Sequence, residues 1–139
     1  MKAAHWIMIA GILAFLGVAF GAFGAHALAS RFGDYEKGVW QTAVFYHITH
    51  AVALLAFGIA LTAIRPLGEI AGANAIGWLF VFGILVFSGS LYALALSGVK
   101  VLGAITPLGG LALLAGWLMV ARAGYLLAKA TVTANTIWC

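Results

Sequence analysis

Four apolar runs, at about residues 4–28, 39–64, 71–97 and 101–121, take up most of this 139-residue chain. Each reaches the roughly 20 residues that a helix needs to cross a bilayer at about 1.5 Å per residue. Strands of a membrane barrel would alternate polar and apolar residues, and these runs do not. The chain is 65% hydrophobic and only 7% charged. A soluble domain of this size would carry charge on about a quarter of its residues. The reading is an all-α integral membrane protein, one membrane domain over residues 1–139.

The connections are short and hold most of the charge. Residues 29–38 carry Arg31, Asp34, Glu36 and Lys37; residues 65–70 carry Arg65, Pro66, Gly68 and Glu69; Ser97 to Lys100 make the tightest turn. Short loops join antiparallel neighbours, which predicts an up-down-up-down four-helix bundle. Both termini then share a side with Arg65, opposite Arg31, Lys37 and Lys100. The basic residues on the terminal side, Lys2, Arg65, Arg122 and Lys129, favour that side as cytoplasmic under the positive-inside rule. Trp6, Trp78 and Trp117 read as an aromatic belt on that side, and Tyr35 and Trp40 as a belt on the other. Lys2, an apolar stretch and Ala27-Leu28-Ala29 imitate a cleaved secretory signal. The run is longer than a signal core, and the first segment is expected to be retained.

A formal charge of +4 would suggest nucleic acid in a polar protein, but the basic residues are scattered at the ends of apolar runs. They are topology signals, and the partner they imply is the lipid bilayer. Cys139 is the only cysteine and the last residue, so neither an intramolecular disulfide nor a prenylation box is available.

Ionisable groups at membrane depth mark sites by default. His47 and His50 lie inside the second run, and on a helical wheel they share an arc with Thr42 and Tyr46. Ser88 and Tyr92 share a face of the third helix, with Ser90 pointing away. Counted from the face where the first helix ends, His26 is about 3 Å deep, Tyr92 about 7 Å and Thr106 about 9 Å. His47 follows at about 12 Å, Ser88 at about 13 Å and His50 at about 16 Å. Depth therefore predicts one polar cluster of His26, Tyr46, His47, His50, Ser88, Tyr92 and Thr106, confined to one half of the bundle.

Several roles fit such a cluster. Its members can hydrogen-bond one another and lock the bundle, or histidine can serve a proton-linked or small-ligand site. Zinc wants three or four protein ligands, and no span offers a carboxylate or thiolate to complete a set. Haem ligation by His26 and His47 would have to bridge about 9 Å of depth. Recognition of quinone or lipid is a further reading. Asp34, Glu36 and Glu69 all lie in connections, so a Ser-His-Asp arrangement has no acid, and there is no P-loop. The expectation is a non-enzymatic protein without cofactor or metal.

Small residues supply the packing signals. Gly17, Gly21 and Gly24 on the first helix, Gly89 on the third and Gly116 on the fourth fall at spacings that let membrane helices approach closely. They fit packing within the bundle or in a homo-oligomer. Thr106-Pro107-Leu108-Gly109-Gly110 predicts a kink near the start of the fourth helix.

Four motifs run in order: Gly21-Ala-Phe-Gly-Ala-His26, Tyr46-His-Ile-Thr-His50, Phe87-Ser-Gly-Ser-Leu-Tyr92, and Gly103-Ala-Ile-Thr-Pro-Leu-Gly-Gly110 followed by Gly116-Trp117. With them the chain resembles the YgdD/YwdK family of small bacterial membrane proteins, related to the eukaryotic small transmembrane protein 256. The resemblance spans roughly residues 5–121. It implies a four-helix protein of the bacterial plasma membrane, the inner membrane in a Gram-negative cell, with its first segment retained. The family is one of unknown function, so the resemblance implies architecture without chemistry. The tail from Leu126 to Cys139 lies outside it and reads as a cytoplasmic extension or a cloning remnant. The leading expectation is a structural or accessory membrane component, such as a subunit of a larger complex. The runner-up is a proton-coupled carrier or channel using His47 and His50.

Overall fold

The computed structural model describes residues 1–136, with side chains through residue 130. The elements are α1 (Ala3–His26), α2 (Asp34–Ala63), a short α3 (Arg65–Glu69), α4 (Ala73–Gly83), a π-helical turn (Ile84–Ser88), α5 (Gly89–Ser97), a 3₁₀ turn (Lys100–Ala104) and α6 (Thr106–Thr136). α4, the π turn and α5 form one continuous spanning helix, Ala73–Ser97. Four helices are long and apolar enough to cross a membrane, and no strand occurs among the described residues. Large apolar side chains such as Phe15, Phe45, Leu85 and Leu118 lie exposed around the outside, as a lipid-solvated bundle requires.

Hydropathy locates the apolar part of a helix, and the helix ends are set by other groups. α2 begins at Asp34, five positions before the expected 39, because Gly33 is extended and Asp34 and Glu36 occupy the first turn. Carboxylates there oppose the positive end of the helix macrodipole. α2 stops at Ile64, and Pro66 sits in the first turn of α3, where its missing N–H costs nothing. Gly72 (φ +85°) and Gly98 (φ +70°) supply the left-handed turns on either side of the third span.

The fourth span departs most from expectation. Pro107 does not kink a continuous helix. The 3₁₀ turn ends at Ala104 and α6 starts at Thr106, placing Pro107 in the first turn, where proline is tolerated. α6 then runs to Thr136, well beyond 121, taking most of the tail into the helix; Cys139 lies outside the described residues. The irregular backbone is in the third span instead, at the π turn.

α1 packs along α2, and α6 packs along α4 and the π turn, while α2 lies against the whole third span. Glycines make these approaches. A Cβ at Gly17 would fall 2.8 Å from Ile48 Cγ1, and one at Gly116 would fall 2.8 Å from Phe80 Cε1. At Gly24 it would collide with the Trp40 indole, and at Gly21 it would meet only Val44 at 3.4 Å. The α1 glycines therefore serve the α1–α2 seam inside one chain. Gly89 is different: nothing lies within 4 Å of its Cβ position, so it is not a packing glycine. Gly58, Gly77, Gly83 and Gly109, which spacing alone did not select, are closely packed. Gly58 and Gly77 together accommodate Trp6.

Candidate functional site

α2 runs through the middle of the bundle and carries both membrane-depth histidines. His47 and His50 are almost wholly buried, at 4% and 5% exposed. Separated by three residues, they point about 60° apart around the helix, and each reaches a different neighbour. His47 Nδ1 lies 3.3 Å from the Tyr92 hydroxyl on α5. Phe20, Trp40 and Tyr92 surround that contact, with the Phe20–Tyr92 and Trp40–Tyr92 ring centroids 4.8 Å and 4.7 Å apart. The other edge of His47 packs on Gly17 of α1. Its Nε2 is buried without a hydrogen-bond partner.

His50 faces the opposite seam. Its Nδ1 is 2.8 Å from the Tyr46 carbonyl one turn earlier, and its Nε2 is 3.1 Å from Nε1 of Trp117 on α6. A carbonyl can only accept and an indole N–H can only donate. His50 is therefore protonated on Nδ1 and bare on Nε2, a neutral ring with both nitrogens committed. Phe80 packs against both His50 and Trp117, and Tyr46 stacks on His50 with their planes 12° apart.

The expected single cluster resolves into separate contacts. Ser90 and Thr106 share a hydrogen bond of 2.8 Å across the α5–α6 seam, and Ser90 also donates to the Phe87 carbonyl. Ser90 does point away from α2, but toward α6, so it belongs to the network that the wheel excluded it from. Ser88 is buried with its Oγ unpartnered. Tyr46 contributes its ring at the surface of the His50 contact. His26 is exposed at the end of α1 and takes no part in either histidine contact. Its shallow position, about 9 Å from the level of His47, keeps it away.

Sequence reasoning missed three other contacts. Trp40 is buried, and its Nε1 donates to the Phe20 carbonyl on α1 at 2.9 Å. Trp6 is wholly buried and donates to Asn74 Oδ1 on α4 at 3.0 Å. Neither is a lipid-facing belt residue, because the glycines of neighbouring helices open room for an indole inside the bundle. Trp117 on α6 is partly exposed, and its indole nitrogen reaches inward to His50. It packs on Phe80 of α4, as His50 does, so the three rings lie at one level. The usable signal was the indole nitrogen itself, which needs a partner when buried.

Five polar contacts thus join helices: Trp40–Phe20 between α1 and α2, Trp6–Asn74 between α1 and α4, His47–Tyr92 between α2 and α5, His50–Trp117 between α2 and α6, and Ser90–Thr106 between α5 and α6. The carboxylates stay remote in sequence and position, with Asp34 and Glu36 in the first turn of α2 and Glu69 in α3. No group of three or more His, Cys, Asp or Glu side chains is placed to hold a metal ion among the described residues.

Four long apolar helices, joined by polar contacts between them, define a polytopic α-helical membrane protein. The sequence model of the family described as "Protein of unknown function (DUF423)" matches residues 20–110, and the chain belongs to that family. It is 42% identical over 115 residues to the UPF0382 membrane protein YwdK of Bacillus subtilis, covering 83% of this chain and 91% of the relative. It is also 42% identical over 117 residues to the UPF0382 membrane protein SSP2132 of Staphylococcus saprophyticus, covering 83% and 92%. A Staphylococcus haemolyticus relative, SH2409, is 41% identical over 117 residues, covering 83% and 90%. No solved structure matches the chain.

Proposed function

We propose that this protein is a non-enzymatic structural or accessory component of the bacterial plasma membrane, with its termini on the cytoplasmic side, acting alone, as a homo-oligomer or within a larger membrane complex. The observation that carries this reading is His50, whose two ring nitrogens are both engaged in holding α2 to itself and to α6. A second proton would have to displace the Trp117 bond. The other seam contacts extend the same logic, since each joins a different pair of helices. Absence of a carboxylate beside either histidine weakens a general acid–base role. The orientation rests on the basic residues of the terminal side.

A second reading, a proton-coupled carrier, is supported by one specific feature. His47 Nε2 and Ser88 Oγ are buried at similar depth without a hydrogen-bond partner. Purified protein in liposomes under an imposed pH gradient separates the two readings. The structural reading expects proton flux equal to that of empty liposomes, with His47→Ala and His50→Ala lowering stability. Flux that those substitutions abolish would overturn it.

A further inference from the structure

A groove of about 670 Å³ lies between α1 and α2, apart from both histidine contacts. Gly21 and Ala25 of α1 and Ala29 of the following connection make one wall, and α2 contributes Lys37, Gln41 and Thr49. The groove is open sideways, where lipid is, and is almost wholly apolar. It persists because Gly24 lets the Trp40 ring turn inward against α1, while Gly21 has no side chain to refill the space.

Three features define what fits. From Lys37 to Thr49 the α2 wall is about 18 Å long, close to the roughly 15 Å depth of one leaflet's hydrocarbon. Lys37 is exposed at the mouth, no carboxylate lines the groove, and neighbouring Glu36 turns back over Gly33. Gln41 lies one helical turn below Lys37 on the same face, about 6 Å deeper. A cation at the interface, an amide donor one turn below and an apolar channel beneath repeat the order of phosphate, ester carbonyl and acyl chain in a glycerophospholipid.

We propose that this groove is a phospholipid site in the leaflet that holds the α1–α2 connection. Lys37 takes the lipid phosphate, the Gln41 amide donates to an ester carbonyl, and one acyl chain lies over Gly21 and Ala25. This goes beyond ordinary contact with bulk lipid because it predicts one retained molecule whose affinity depends on the phosphate. The site stands apart from the histidine contacts and does not rest on the structural or the carrier reading.

The test is native mass spectrometry of the full chain in detergent, titrated with palmitoyl-oleoyl phosphatidylglycerol and, separately, with the diacylglycerol bearing the same chains. Wild type is expected to hold one phospholipid and to bind the diacylglycerol more weakly. Lys37→Gln should weaken phospholipid binding about fivefold, the usual effect of one basic residue near an anionic headgroup. Ala25→Phe fills the groove from an exposed position, displacing about two methylenes of chain and weakening binding roughly tenfold. Ala29→Phe, nearer the mouth, repeats the blockade if the first variant is not monodisperse. Unchanged affinity in both Lys37→Gln and a groove-filling variant would overturn the proposal. So would equal binding of the diacylglycerol, or a second copy of the chain cross-linking through Ala25→Cys in lipid-replete membranes.

Discussion

Replacing Gly109 with alanine adds one methyl group at the tightest helix–helix approach in the fourth span. Its carbon would lie 2.8 Å from both Cα and Cβ of Phe87, and closer still to the Phe87 nitrogen. Carbon pairs settle at about 3.5–4.0 Å, so α6 must move about 1 Å from the π turn. The obstacle is backbone, which has no rotamer to yield. Across the same seam Ser90 and Thr106 are 2.8 Å apart, and a shift of that size takes them beyond hydrogen-bond range. Overpacking costs about 1–3 kcal/mol and the lost bond about 0.6 kcal/mol, against a helix-propensity gain near 1 kcal/mol. The net expectation is a loss of about 0.6–2.6 kcal/mol. Gly89→Ala meets open space and should be neutral or stabilising by up to about 1 kcal/mol. The assay is SDS-induced unfolding in mixed micelles followed by circular dichroism. A Gly109→Ala protein as stable as wild type, or one more stable than Gly89→Ala, would refute the reasoning.

Other seams give parallel expectations. Trp6→Ala should cost about 3–5 kcal/mol in the same unfolding assay, because a wholly buried indole leaves a cavity beside Gly58 and Gly77. Trp117→Phe keeps the ring contacts with Phe80 but loses the bond to His50, and should cost about 0.6 kcal/mol, no more than about 1.7. In a double-mutant cycle with His50→Phe the coupling should have that size; additivity would remove the bond from the account. Gly24→Ala should displace the Trp40 indole, break its bond to Phe20 and shift tryptophan fluorescence, whereas Gly11→Ala, with nothing near it, should leave the spectrum unchanged.

The number of spanning helices was legible because it follows from counting residues along apolar runs. His47 and Tyr92 do meet, as do Ser90 and Thr106. Partnership was not legible, because a wheel gives the direction of a side chain without the identity of the helix it faces. His47 and His50 share an arc of α2 yet serve different seams. Trp117 escaped because it was read as a rim residue, whereas its indole N–H reaches inward to His50. The π turn at Ile84–Ser88 leaves no mark in composition. Gly109 read as part of a proline kink, although its role is to admit the Phe87 backbone, a contact far away in sequence. His26 had the right composition and the wrong depth.

The central claim is that the deep histidines are hydrogen-bonded fasteners between helices, and His50 states it most sharply. NMR of its ring nitrogens, in protein labelled at histidine and reconstituted at neutral pH, reads the proton positions directly. The account predicts a neutral ring with the proton on Nδ1 and a hydrogen-bonded, bare Nε2 whose shift moves in Trp117→Phe. An imidazolium signal, or a proton on Nε2 indifferent to Trp117, would contradict it.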